Sequence, residues 1–292
     1  MTMVSIDLLI EGLVFGVLVG CFYAAVSIGL SIAFGLLDVP HIAHASFLVL
    51  AAYMTFLLGS FGIDPLLAGA LILIPFFFLG AAVYRFYYEA FEKRGTDAGV
   101  RGIAFFFGIA FIVQVVLSLV FGLDQQSVSA PYIGSSLALG EMRIPWRLIV
   151  ALVVAVGLVL SLNLYLSRTF RGRAIRAVAQ DPWALKVIGA NPVLTKQWAF
   201  GLATAATAVG GALLIIVSPV EPSLDRVYIG RTFCVVVLAG LGSMNGTLIA
   251  GILLGVMESL VLTAFGASWA PAVAFGLLLL VLGLRPQGLF GR

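Results

Sequence analysis

The sequence predicts an all-α fold: one domain, 1–292, forming a membrane helical bundle of about eight or nine segments with broken or re-entrant elements. Hydrophobic residues make up 62% of the chain and charged residues 10%, and the mean hydropathy is +1.17, far outside the range of water-soluble proteins. Apolar runs long enough to cross a hydrocarbon core, roughly 20 helical residues, recur along the chain. The runs are continuous rather than alternating, which favours helices over barrel strands.

Polar breaks divide the chain into nine apolar segments. They lie near 8–36, 45–60, 65–85, 102–122, 147–167, 197–218, 231–243, 246–264 and 269–284. Asp38 and Pro40 interrupt the first run, and Pro40 disfavours helical geometry before it, so we expect a broken helix there. The stretch 235–244 is too short to cross alone, which predicts a half-helix or a re-entrant element and leaves the count at eight or nine.

Basic residues predict the orientation of the segments. Four lie in the loop 85–101, six in the loop 168–196 and two in the tail, so that twelve of the sixteen are assigned to the cytoplasm. The remaining four then fall in external loops: Arg143, Arg147, Arg226 and Arg231. We therefore expect a multi-pass membrane protein with its amino terminus outside and its carboxyl terminus in the cytoplasm.

Catalytic chemistry finds little support in the sequence. No G-x-x-x-x-G-K-[ST] phosphate loop occurs, which predicts that the chain does not itself bind ATP. Cys21 and Cys234 lie in apolar runs and are expected to be packing residues. His41 and His44 could share a helix face, but no second ligand pair accompanies them, so polar groups at a helix break are favoured over a metal site. We expect no catalytic residue, cofactor, metal or nucleic-acid partner.

The loop 168–196 contains a predicted short amphipathic helix, 182–188. Asp181 followed by Pro182 is a strong helix start, and Gly189 and Asn191 are stop signals. Such a helix suits docking on a partner protein, or lies at lipid headgroups that attract its cations. Its predicted apolar face is formed by Trp183, Leu185 and Ile188, with Ala184 and Lys186 at the margins.

Small and polar residues within the apolar runs predict helix contacts. Glycines recur every fourth position, which favours close packing of helices within the chain over a dimer seam. A carboxylate at Glu258 must face a partner or a wet cavity, so it belongs to a substrate pathway, an ion pair or a protonated carboxyl. Gln114 and Asn163 are expected to bridge helices. The glycines are Gly12, Gly16 and Gly20, Gly242 and Gly246, and Gly251 and Gly255.

Four stretches together resemble the permeases of ABC importers for branched-chain amino acids. They are RGRAIRAVAQDPWALKVIGANP at 171–192, GLLDVPHIAHASF at 35–47, LAGLGSMNGTLIAGILLGVME at 238–258 and LRPQGLFGR at 284–292. The resemblance implies that the first stretch sits in a groove of a separate ATPase and transmits its closure. The coupling candidates are Asp181, Pro182, Trp183, Ala184, Leu185, Ile188 and Gly189.

The resemblance also implies a location in a bacterial inner membrane, a set of partners and a pathway. The partners are a second homologous permease, two cytoplasmic ATPase subunits that carry ATP and Mg, a periplasmic solute-binding protein and the lipid bilayer. Substrate would pass between the two permeases by alternating access. The pathway candidates are Asp38, His41, His44, Ser46, Gly240, Gly242, Ser243, Asn245 and Glu258.

Two departures from the family pattern keep the substrate open. The family usually has Gly at the position of Ala45 and more often Asn or Ser near Val39. The leading hypothesis is import of branched-chain or other hydrophobic amino acids. The same architecture would also serve urea, short amides or small aromatic acids. An ion-coupled secondary transporter is the weaker alternative, because we find no clear internal repeat and few carboxylates in the apolar runs.

Overall fold

The computed structural model describes residues 6–94, 98–140, 142–187, 189–285 and 287–291, which form a helical bundle. Its helices are α1 (Ile6–Ala33), α2 (His44–Ser60), α3 (Pro65–Ala90), α4 (Ala98–Phe121), α5 (Trp146–Arg168), α6 (Phe170–Gln180), α7 (Pro182–Val187), α8 (Pro192–Val217), α9 (Asp225–Ala239), α10 (Met244–Phe265) and α11 (Ala270–Leu284). Six of them, α1, α3, α4, α5, α8 and α10, are long and apolar enough to cross a membrane. The shorter α2, α9 and α11 complete the nine predicted apolar segments, so the predicted fold class is confirmed.

Helix α8 is the most enclosed of the long helices. It packs on α1, α2 and α3, and 83% of its most apolar window is buried. Its 26 residues span about 39 Å at 1.5 Å per residue. Helix α4 is the opposite case, since only 11% of its window is buried and most of its side chains point outward.

Glycines hold α1 against α10. A Cβ built on Gly16 would lie 2.6 Å from the Val256 Cα, and one on Gly20 would lie 2.5 Å from the Ile252 Cα. Only hydrogen fits at these positions, because the backbones of the two helices touch there. The predicted packing of glycine motifs within the chain is confirmed.

The chain breaks between α1 and α2, as predicted around Pro40. Asp38 adopts φ +56°, a left-handed conformation that is uncommon outside glycine, and the Val39 N–H donates back to the Ala33 carbonyl at 3.1 Å. Helix α2 then starts at His44. The last described turn of α1 and the first turn of α2 are therefore separate elements and not one long helix.

Helix α9 corrects the prediction for the seventh segment. It begins at Asp225, six residues before the predicted start, so Arg226 and Arg231 lie on the helix and not in an external loop. Charged side chains near its start lowered the apparent hydropathy and hid this part of the helix. Its 15 residues span about 22 Å, which is less than the hydrocarbon thickness of about 30 Å and agrees with a half-helix.

The stretch 168–196 is more helical than predicted. Helix α6 was missed because its exposed side carries arginines, whereas Gly172, Ile175 and Val178 on its other side are buried. The predicted start of α7 is confirmed, since the Asp181 carboxylate accepts from the Trp183 N–H at 2.8 Å. Gly189 follows α7 with φ +81°, as a helix stop requires.

Asn191 was predicted as a stop signal for α7, and this is wrong. Its side-chain oxygen accepts from the Val193 N–H at 3.0 Å and the Leu194 N–H at 3.3 Å, so it caps the start of α8. Asparagine is common at both ends of helices, so the residue type alone did not show whether Asn191 ends α7 or starts α8.

The connection between α4 and α5 contains a hairpin that was not predicted. Strand β1 (Ser136–Leu139) pairs antiparallel with β2 (Met142–Pro145). Before it, the Tyr132 hydroxyl donates to the Asp64 carboxylate at 3.1 Å. Burial and the nearby Asp64 charge raise the pKa of Tyr132 to about 12. These contacts fix the connection against the start of α3.

Candidate functional site

Helix α7 is anchored by one side chain and exposes others. Leu185 is 2% exposed and packs with Ile175 and Val178 of α6, whereas Trp183 is 75% exposed and Val187 is 85% exposed. The Lys186 Nζ lies 5.1 Å from the Trp183 ring centroid.

The predicted apolar face of α7 is therefore wrong in part. Residues two apart on a helix point in nearly opposite directions, so Trp183 and Leu185 cannot share a face. Leu185 holds α7 to the bundle, and Trp183 points away from it. Ile188 lies outside the described residues, as does the side chain of Ala184.

Contacts at the start of α8 join it to the segment after α3 and to α6. The Lys196 Nζ lies 2.6 Å from Glu92 Oε1, and the Tyr84 hydroxyl of α3 donates to the other carboxylate oxygen of Glu92 at 2.8 Å. The Arg171 guanidinium of α6 stacks 4.2 Å from the Trp198 ring centroid. These contacts tie the start of α8 to α3 and α6.

The two histidines predicted for the pathway lie in the protein core. His41 is 1% exposed, and rings of Phe47, Phe106 and Phe200 surround it at centroid distances of 5.3, 5.0 and 4.8 Å. Neither ring nitrogen of His41 has a hydrogen-bond partner among the described residues. The His44 Nε2 lies 2.7 Å from the carbonyl oxygen of Val26.

A second group of predicted residues lines a polar cavity of about 680 Å³ beside α6. Gly242, Ser243 and Asn245 lie on its wall. Asn163 joins α5 to α10 and α6 here, since its amide donates to the Asn245 side chain at 3.0 Å and accepts from Arg176 at 3.1 Å. The prediction that Asn163 bridges helices is confirmed.

Two other predicted residues lie away from this cavity. Gly240 is covered by the chain end, where the Leu289 N–H donates to the Leu238 carbonyl at 2.8 Å and Gly291 packs against Gly240. Asp38 is exposed at the break after α1. The predicted pathway residues thus fall into several places and do not form one site.

Glu258 is buried and its carboxylate is fully partnered. The Tyr23 hydroxyl donates to Oε2 at 2.6 Å, and Arg231 Nε donates to Oε1 at 3.2 Å. The Arg231 guanidinium also lies 5.4 Å from the Tyr23 ring centroid. Of the three alternatives for Glu258, the structure has the ion pair.

Ser46 leads to a membrane pocket that the sequence did not predict. Its hydroxyl donates to Asp225 Oδ2 at 2.8 Å, across 179 positions of the chain. Both residues line a pocket of about 410 Å³, together with Gln114 and Arg226. Asp225 was missed because the segment prediction placed it in an external loop. A helix start directly before an apolar run was the available signal.

Comparisons with known proteins agree on a family. Residues 12–282 match the family model described as the permease component of branched-chain amino acid transport systems. The chain is 27% identical to the high-affinity branched-chain amino acid transport system permease protein BraD of Pseudomonas aeruginosa, over 97% of this chain and 96% of that protein. It is also 27% identical to the corresponding LivH protein of Escherichia coli K12, over 95% of this chain and 94% of that protein. A probable LivH permease of Methanocaldococcus jannaschii is 26% identical over 91% of this chain.

Proposed function

The chain belongs to the family of permease components of branched-chain amino acid transport systems, and we propose that a separate ATPase drives it through α7. It is a multi-pass inner-membrane protein, and a transport permease moves its substrate without converting it. ATP and Mg are bound by the ATPase subunits in this proposal. The proposed cargo is a branched-chain or other hydrophobic amino acid, and the names of the relatives specify branched-chain amino acids.

The proposal depends on three exposed residues of α7, Trp183, Lys186 and Val187, which we call the docking surface. Trp183 and Val187 are large apolar side chains that the bundle leaves uncovered, and Leu185 fixes the helix that presents them. Exposed aromatic side chains on a fixed element are typical anchors of protein interfaces. A groove in the ATPase would accept this face, and closure of the groove would displace α7.

Helix α8 provides a route from α7 into the membrane. Asn191 caps it directly behind α7, and the helix continues unbroken to Val217. Along this course Thr207 meets His44 of α2, with 3.3 Å between Oγ1 and Nδ1. Motion of α7 would therefore reach the break between α1 and α2, where alternating access needs a movable element.

The distribution of charge supports the orientation. The Lys196–Glu92 pair brings the basic loops 85–101 and 168–196 to the same end of the bundle, which we call the α7 end. Leu289 packs on Leu238 beside the turn that precedes α10, at this end as well. We place the α7 end and the carboxyl terminus in the cytoplasm. A periplasmic solute-binding protein would deliver cargo at the opposite end, to a pathway shared with a second permease.

Two substitutions test the docking surface. Trp183→Glu and Val187→Glu place a charge in the proposed interface without touching the core. We expect each to reduce copurification of the ATPase and ATP-driven leucine uptake about tenfold or more, with normal membrane insertion. The matched control is Trp269→Glu, because Trp269 is 59% exposed at the opposite end of the bundle.

The outcomes are distinct. Retained ATPase copurification in both α7 variants would reject docking at α7. A complex that assembles and hydrolyses ATP but takes up no hydrophobic amino acid would reject the proposed cargo. Uptake by the chain without any ATPase, driven by an ion gradient, would reject the ABC mechanism.

A further inference from the structure

The pocket beside Ser46 lies deep in the membrane part of the bundle. Ser46 is fourteen residues from the end of α2, about 21 Å along the helix, and Gln114 is seven residues from the end of α4, about 10 Å. Both helices run away from the α7 end. The pocket is therefore near the middle of a hydrocarbon layer of about 30 Å.

Its walls are mostly apolar, with polar groups at a few places. The volume of about 410 Å³ lies in the range of small-molecule sites. The side chains of Ile42, Phe107, Phe111 and Ile229 supply apolar surface. Ser46, Gln114, Asp225 and Arg226 supply the polar groups.

One carboxylate oxygen of Asp225 has no hydrogen-bond donor among the described residues. The residue is 9% exposed, Oδ2 accepts from Ser46, and Oδ1 is buried with no hydrogen-bond partner in the described part of the chain. The first turn of α9 stabilises a negative charge, but it does not supply a donor to Oδ1. A buried carboxylate oxygen without a donor is costly, and an ammonium group from outside the described residues would supply both a donor and a counter-charge.

Glu258 shows what this bundle does with a carboxylate that serves structure. Both of its oxygens have partners within the chain, Tyr23 and Arg231. Asp225 accepts a hydrogen bond from Ser46 on one oxygen, and the residue lines a pocket. Glu258 is therefore satisfied within the chain, whereas Asp225 retains the capacity to bind a ligand.

We propose that this pocket binds the transported amino acid, with the α-ammonium group at the Asp225 carboxylate. The inference rests on the proposed function and names the substrate class of its pathway. The Gln114 side-chain carbonyl can accept a further hydrogen bond from the ammonium group, and Arg226 is the nearby cation for the substrate carboxylate. Phe107, Phe111, Ile42 and Ile229 enclose the apolar side chain. A urea or short-amide substrate would leave Asp225 without its counter-charge.

The test uses the intact transport complex in lipid nanodiscs with Ala110→Cys as a reporter. Ala110 lines the pocket and is half-buried, whereas the native Cys21 and Cys234 are both buried. We expect leucine and leucinamide, which carry an ammonium group, to slow modification of this cysteine by a methanethiosulfonate reagent. The des-amino analogue 4-methylpentanoate should give no protection. Protection by 4-methylpentanoate equal to that by leucine, or no protection by leucine, would overturn the inference.

A second arm uses Asp225→Asn, which keeps an acceptor for Ser46 and removes the charge. We expect loss of leucine protection and a fall in uptake of at least about tenfold, with the ATPase still bound. Asp64→Asn is the matched control, since Asp64 caps α3 away from the pocket. Unchanged uptake in Asp225→Asn rejects only the ammonium site. A wild-type complex that takes up no amino acid rejects the proposed function itself.

Discussion

Arg231 on α9 and Glu258 on α10 form a buried ion pair, with 3.2 Å between Nε and Oε1. Tyr23 of α1 donates to the other carboxylate oxygen, so three helices meet at one charged group. Each charge alone would be costly at membrane depth, and each makes the other tolerable. The relationship explains how a short, polar α9 is held against α1 and α10.

Removal of one partner should therefore destabilise the bundle. We expect Glu258→Ala to lower the free energy of unfolding by about 3 kcal/mol, because Arg231 is left buried without a counter-charge. Thermal unfolding of the purified protein in detergent measures this. The exposed pair Arg85–Glu89 is the control, and Glu89→Ala should cost at most about 0.5 kcal/mol. Equal losses in the two variants would contradict the structural role of the buried pair.

The close contact of α1 with α10 predicts that a methyl group added between the two helices destabilises the protein. A Cβ at Gly20 would meet the backbone of Ile252, so Gly20→Ala should destabilise the protein by about 1–3 kcal/mol. Gly157 of α5 has no atom within 4 Å of its Cβ position, and Gly157→Ala should be neutral or stabilise by about 0.5 kcal/mol. A thermal stability assay on both variants decides. If both variants shift the thermal stability in the same direction, the close contact between α1 and α10 is refuted.

The anchor of α7 is a third test. Leu185→Ala removes the buried side chain that holds a six-residue helix, at a cost of about 2–4 kcal/mol. We expect faster amide hydrogen exchange throughout α7 and weaker stimulation of the ATPase by transport. Val187→Ala, at an 85% exposed position, should leave the exchange of α7 unchanged. Slow exchange in Leu185→Ala would show that other contacts hold α7.

The cap of α8 is a fourth test. Asn191→Ala removes the acceptor for two backbone N–H groups and should cost about 1 kcal/mol, whereas Asn191→Asp keeps the acceptor. The effect should appear as local fraying at the start of α8, read by hydrogen exchange at Val193 and Leu194. If Asn191→Asp frays as much as Asn191→Ala, the cap does not set the start of α8.

Much of the membrane topology could be predicted because a helix in the hydrocarbon layer requires a continuous local run of apolar residues. A run of apolar residues has to be helical to satisfy its backbone, so each of the nine segments could be located without knowing its neighbours. The break at Pro40 and the start of α7 at Asp181 were equally local. Helix α6 was missed because an amphipathic helix with three arginines has the composition of a loop.

The candidate site was harder to predict because it depends on distant pairs. Ser46 was selected for its position in a matching stretch, but its partner Asp225 lies 179 positions later. Arg231 and Glu258 were likewise considered separately, and a hydropathy profile cannot show that they neutralise each other. The enclosure of His41 by three phenylalanines from different helices has no local signal either.

Helix α8 is enclosed by other helices on nearly all sides, which limits how it can move. A rod surrounded by close-packed side chains cannot slide or turn alone, since its neighbours would have to lose contact at every step. Its glycines Gly210 and Gly211 lie directly against α1 and α2, which makes independent travel harder still. A displacement at Asn191 would thus be shared by all the helices that pack around α8. Any gate in this protein would open by the tilting of groups of helices and not by the movement of one helix alone.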